Sequence, residues 1–110
     1  MRFRVQTLRG AANDYREILK YIAKRSKSGA IAWANAFDRS LVQLADEADT
    51  LPLAPENEYA PCEVREIRFK TRRGLVYRVL FMIQGQEVFL LHVRGPGQDF
   101  LDAEDFAIEN

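Results

Sequence analysis

The 110-residue chain has one histidine, His92. An imidazole can give or take a proton near neutral pH. Glu66 offers a carboxylate that can accept one, and Arg78 offers a guanidinium that can hold a phosphate. Self-cleavage of RNA by its 2′-hydroxyl needs those three functions: a base, an acid and stabilisation of a charged phosphorane. The three residues therefore form a candidate catalytic set, with Glu66 as base and His92 as acid. They also have a purely internal reading. Glu66 can pair with Arg68 or Arg78, and a lone histidine on a strand can be a hydrogen-bonded structural residue. Arg78 lies between apolar neighbours, so its charge requires an anion, either internal or bound.

The surrounding segment is basic. Between positions 65 and 94 lie Arg65, Arg68, Lys70, Arg72, Arg73, Arg78 and Arg94, against Glu66 and Glu87 as the acids. Arg68, Lys70, Arg72, Arg73 and Arg94 are accordingly candidate nucleic-acid contacts. The whole chain balances 16 Lys+Arg against 16 Asp+Glu, yet the balance is uneven. Asp99, Asp102, Glu104, Asp105 and Glu109 fall in an end segment with no base, so residues 1–98 carry 16 minus 11, or +5. The expected division is a folded domain over 1–98 and an acidic tail over 99–110.

Other chemistries find little support. Cys62 is the one cysteine, so neither an internal disulfide nor a cysteine-rich metal site can form. No metal-ligand spacing is visible, and Gly95-Pro96-Gly97 lacks the Lys-Ser/Thr ending of a phosphate-binding loop. No metal and no cofactor are expected. The longest apolar runs, such as residues 79–83, are far short of the roughly 20 residues a bilayer requires, and the start of the chain shows no secretory signal. The expectation is a soluble cytoplasmic protein without a membrane partner.

The elements that must position these residues are read from periodicity. Residues 2–8 alternate as a short strand. Ala12, Tyr15, Ile18, Leu19 and Ile22 recur every three or four positions, predicting a helix over 9–25 with Thr7 as its cap. Ala30, Trp33, Ala34, Phe37, Leu41, Leu44 and Ala48 mark a second helix to about residue 49, capped by Ser28. Residues 51–61 contain Pro52, Pro55 and Pro61 and read as a loop. Strands are expected over 63–70, 75–83 and 87–94. The fold class is α+β: strand, helical hairpin, then a three-stranded antiparallel meander, forming one mainly antiparallel sheet.

Alternation sorts the strand side chains into two faces. Leu75, Tyr77, Val79, Phe81 and Ile83, with Phe89, Leu91 and Val93 and with Ile67 and Phe69, should lie beneath the helices. The other face should hold Glu66, Arg68, Lys70, Arg78, His92 and Arg94 at a polar end, over an apolar floor of Val76, Leu80, Met82, Val88 and Leu90. Five large apolar residues on an uncovered face would mark a partner-binding surface.

The residues 14–23 (DYREILKYIA), Arg65-Glu66-Ile67-Arg68-Phe69, Tyr77-Arg78-Val79-Leu80-Phe81 and Leu91-His92-Val93-Arg94 resemble, in order and spacing, the RelE/ParE superfamily of toxins. The resemblance spans about residues 2–97. It implies the toxin half of a type II toxin–antitoxin pair, with a cognate antitoxin as partner. RelE-like members cut messenger RNA in the ribosomal A site, and ParE-like members poison DNA gyrase without a catalytic set. By resemblance, Arg68, Lys70, Arg78, His92 and Arg94 fall where RelE-like toxins keep site residues. The helical hairpin looks more like ParE, the sheet looks more like RelE and its HigB-like relatives, and no tyrosine follows the last strand, Phe100 and Phe106 being the nearest aromatics. The leading expectation is ribosome-dependent mRNA cleavage. The alternatives are a non-catalytic gyrase inhibitor and a non-toxic relative that only binds antitoxin.

Overall fold

A computed structural model describes residues 2–96. The acidic segment 99–110 lies outside the described residues. The elements are β1 (Arg4–Thr7), α1 (Arg9–Ala23), α2 (Lys27–Glu47), β2 (Arg65–Phe69), β3 (Tyr77–Gln84) and β4 (Glu87–Arg94). Short 3-10 turns follow α2 at Ala48–Thr50 and interrupt the proline-rich loop at Pro55–Glu58. The predicted α+β class and element order hold. Among the described residues no helix is long and apolar enough to cross a membrane.

Local chemistry explains the element ends. The chain passes from β1 into α1 without a capping side chain. The Leu8 N–H still donates to the Leu90 carbonyl while Leu8 already occupies the cap position, so Thr7 stays in the strand. Ser26, rather than Ser28, caps α2: its hydroxyl accepts from the Gly29 N–H at 2.9 Å. Gly85 stands at φ 60 in the two-residue loop between β3 and β4, a conformation glycine adopts without steric cost.

The strands form one sheet in the order β1-β4-β3-β2. β1 runs parallel to β4, and the other two pairings are antiparallel. On one face, Trp33, Phe37 and Leu44 of α2 pack over Ile67, Val79 and Phe81. Trp33 stacks or edges against Phe37, Phe69, Tyr77 and Tyr15 with ring centroids 5.2–5.9 Å apart. Burial holds the hydroxyls of Tyr15 and Tyr77 above the ordinary tyrosine range.

The opposite face is not bare. Leu51 to Glu63 crosses it as a strap, fastened by Ala54 N–H to the Val64 carbonyl (2.9 Å) and Glu66 N–H to the Pro52 carbonyl (3.0 Å). Ala54 and Val64 bury Leu80, Met82 and Leu91 beneath it. This corrects the expected uncovered floor: the strap, not a partner, seals Leu80 and Met82. Val88 and Leu90 belong to the opposite, helix-side core. The cause is a bulge in β4. Leu80 pairs with His92, but Phe81 pairs with Leu90, leaving Leu91 as an extra residue. The bulge reverses the alternation before it, so Phe89 and Leu91 face the strap rather than the helices. Of the five floor residues, Val76 remains exposed, at 47%.

Candidate functional site

Arg68, Arg78 and Arg94 stand abreast on β2, β3 and β4, one cross-strand partner after another. Like charges directly opposite one another repel, so such a row needs anions. Two carboxylates provide them. Glu66, on β2, accepts from Arg68 Nε at 2.9 Å through Oε2 and from Arg78 Nη1 at 2.9 Å through Oε1. Glu56, carried in by the strap, takes Arg78 in a two-pronged grip, with Nη1 to Oε1 at 3.0 Å and Nη2 to Oε2 at 2.6 Å. Glu56 is completely buried and Glu66 is 4% exposed. The hydrogen bonds that Arg78 donates to Glu56, reinforced by Glu66, hold its guanidinium above its ordinary pKa against the opposing effect of burial.

His92 belongs to a second network. Its Nδ1–H donates to Asp14 Oδ2 at 3.0 Å, and the Val93 N–H donates to the same oxygen at 2.9 Å. β1 ends at Thr7, so α1 takes over the flank of β4 beyond it. Asp14 satisfies the backbone donor that β1 no longer reaches. Helix and strand approach closely here. A Cβ added at Gly10 would lie 2.9 Å from the Leu91 carbonyl oxygen and 2.9 Å from the His92 ring. The imidazole can turn aside, but the carbonyl is fixed by the bulge. Gly10→Ala is therefore expected to destabilise the fold by about 1–3 kcal/mol despite alanine's better helix propensity. Urea unfolding of the two proteins measures it.

The structure thus keeps Glu66, Arg78 and His92 on one face, since Glu66 and His92 are both cross-strand partners of Leu80. It brings Glu66 and Arg78 into contact at 2.9 Å and leaves His92 apart from them. Leu80 separates Glu66 from His92, and each ionisable group is engaged by an internal partner. Arg68, Lys70, Arg72 and Arg73 are exposed at the end of β2 and in the turn after it, while Arg94 is half-buried. Among the described residues no group of His, Cys, Asp and Glu could hold a metal ion. Cys62 lies against Met82 with its sulfur 3.7 Å from the thioether, and burial pushes its thiol pKa up, away from nucleophilic chemistry.

Sequence reasoning missed Glu56 and Asp14 as partners. Glu56 sits in a loop without period and left no signal. Asp14 did leave one: it falls three after Ala11 and four before Ile18, on the apolar stripe of α1, where an acid needs a partner.

A family model described as the ParE toxin of type II toxin–antitoxin systems, parDE, matches residues 5–100. No curated protein and no solved structure matches significantly.

Proposed function

The chain belongs to the ParE toxin family of type II toxin–antitoxin systems, and from that premise we propose that it arrests growth by binding DNA gyrase rather than by cutting messenger RNA. The family implies a cognate antitoxin that holds the toxin in check. The observation that carries the choice of target is the double carboxylate grip on Arg78. A guanidinium can neutralise a phosphorane only if its fork is available to the phosphate oxygens. Here Glu56 and Glu66 fill both prongs at 2.6–3.0 Å. Glu66 cannot serve as a ready base while two arginines bond its two oxygens, and His92 donates to Asp14 instead of facing Glu66. The residues that looked catalytic do structural work in this fold, and a toxin without a catalytic set acts by occupying its target.

The test is induction of the chain alone, with two readouts. Gyrase-dependent DNA breaks should accumulate while transcripts stay intact, and the purified chain should inhibit supercoiling by gyrase. His92→Asn, which keeps a donor towards Asp14, should arrest growth as the parent does. Translation-dependent cleavage of mRNA that His92→Asn abolishes would overturn the proposal.

A further inference from the structure

We propose that the chain binds the phosphate backbone of duplex DNA through two cationic turns at one end of the molecule, with Lys24, Arg25 and Lys27 at the α1–α2 turn and Lys70, Arg72 and Arg73 at the β2–β3 turn. The binding does not rest on the choice of target; its use, to favour gyrase that already holds DNA, rests on the gyrase reading.

The fold brings the two turns to the same end. Trp33, six residues after the start of α2, lies over Phe69, where β2 ends, and Tyr77, where β3 begins, with ring centroids 5.7 and 5.5 Å away. Farther along the helix, the Ala45 carbonyl accepts from the N–H groups of Arg2 and Phe3, just before β1. α2 therefore runs from the β2–β3 turn towards the start of β1, and the turn that precedes it stands at the β2–β3 end. α1 reaches that end too: after burial, the approach of Tyr21 helps to hold the Tyr77 hydroxyl above its ordinary range.

Both turns carry one sign of charge. Residues 20–28 and 67–76 contain no acid. The six cations are exposed, and Arg72 and Arg73 occupy the tip of a turn closed by Gly74 N–H on the Thr71 carbonyl. Among the described residues none of the six has an ion-pair partner. The arginines of β1, β2 and β3 each have one: Arg4 with Glu87, Arg65 with Glu63, Arg68 with Glu66, and Arg78 with Glu56. Unneutralised cations spread over two turns exceed what a small anion can meet and suit a polyanion.

The neighbouring rings select a duplex over a single strand. Proteins that hold single strands stack the bases on aromatic faces. Here Phe69 and Tyr77 stack on each other at 5.8 Å beneath Trp33, and the Arg25 guanidinium already lies over the Tyr21 ring at 4.0 Å. Charge without a stacking platform fits phosphates whose bases stay paired. Leu75 and Val76, exposed at 67% and 47% beside the strand turn, find no match on a phosphate backbone and are left for the protein that holds the duplex. A toxin that touches DNA as well as gyrase binds the loaded enzyme more tightly than the free one.

Fluorescence anisotropy of the purified full chain with a short labelled duplex tests the binding without gyrase. The same sequence as a single strand, or polyglutamate of equal charge, should bind about 10-fold more weakly than the duplex. The variants Arg72→Gln, Arg73→Gln and Lys24→Gln, Lys27→Gln should each lower duplex affinity roughly 10-fold and reduce the salt slope by about 2. Arg2→Gln, Arg4→Gln removes the same charge at the opposite end and should leave both nearly unchanged. All these positions are exposed, so each variant should melt with the parent. In supercoiling assays Arg72→Gln, Arg73→Gln should require about 10-fold more protein for half-inhibition. A single strand or polyglutamate bound as tightly as the duplex, or an Arg2, Arg4 pair as damaging as the turn pairs, would overturn the DNA site. Undiminished inhibition by Arg72→Gln, Arg73→Gln would overturn its use at gyrase. A parent chain that leaves supercoiling untouched would overturn the gyrase reading, with the duplex measurement still deciding the site.

Discussion

Arg78→Ala will unfold the protein more readily by roughly 3–5 kcal/mol, the cost of leaving buried charges without their partner. Glu56 has no exposed surface and Glu66 almost none, so neither carboxylate can regain water while the strap stays closed. On a domain of this size the melting midpoint should fall by roughly 12–20 °C. Glu56→Gln should cost less, because Arg78 keeps Glu66 at 2.9 Å. The decisive comparison is the triple variant Glu56→Gln, Glu66→Gln, Arg78→Met. Removing the whole buried set in favour of neutral groups of similar volume should recover most of the loss, since the penalty comes from stranded charge and not from a missing contact. Circular dichroism melts of the four proteins decide it. If the triple variant is as unstable as Arg78→Ala, the strap is held by something other than charge compensation.

Trp33→Ala will cost about 3–5 kcal/mol, the usual loss for a buried large aromatic side chain. The ring is 2% exposed and touches Tyr15, Phe37, Phe69 and Tyr77. Through it α1, α2, β2 and the start of β3 share one cluster, so the cavity cannot be closed by moving a single element. Trp33→Phe should cost much less, about 1 kcal/mol. It removes volume, but it also removes a buried indole N–H that has no hydrogen-bond partner among the described residues. Urea midpoints should therefore rank the parent above Trp33→Phe and both far above Trp33→Ala. A Phe variant as damaged as the Ala variant would mean that the indole donor is satisfied in solution.

The helical hairpin and the strands were legible because their signals are local. Apolar residues every three or four positions mark α1 and α2, and alternation marks β3 and β4. The requirement of Arg78 for an anion was legible too, from its apolar neighbours. Where that anion came from was not. Glu56 lies in a proline-rich stretch, and no spacing there distinguishes a surface connection from a strap packed on a sheet. The β4 bulge was equally silent. Leu90-Leu91-His92 holds no glycine or other irregularity, and only the pairing with β3 reveals the extra residue. One unmarked insertion moved Val88 and Leu90 to the helix-side core. The internal partners of Glu66, Arg78 and His92 were hidden for the same reason: face membership can be read from alternation, but the partners of a charged group depend on contacts distant in sequence.

The placement of β4 sets the order of events in folding. Last of the described strands along the chain, it lies second in space, with β1 on one side and β3 on the other. Arg4 must meet Glu87 before the sheet is whole. Closing that loop costs of order 4 kcal/mol in chain entropy. A nascent chain that has not yet exposed β4 can wind its helices, but Val79 and Phe81 have no neighbour on that side and β1 has nothing to pair with. Completion of the sheet is thus postponed until β4 is available, and a fragment that lacks β4 cannot pair β1 or complete the flank of β3.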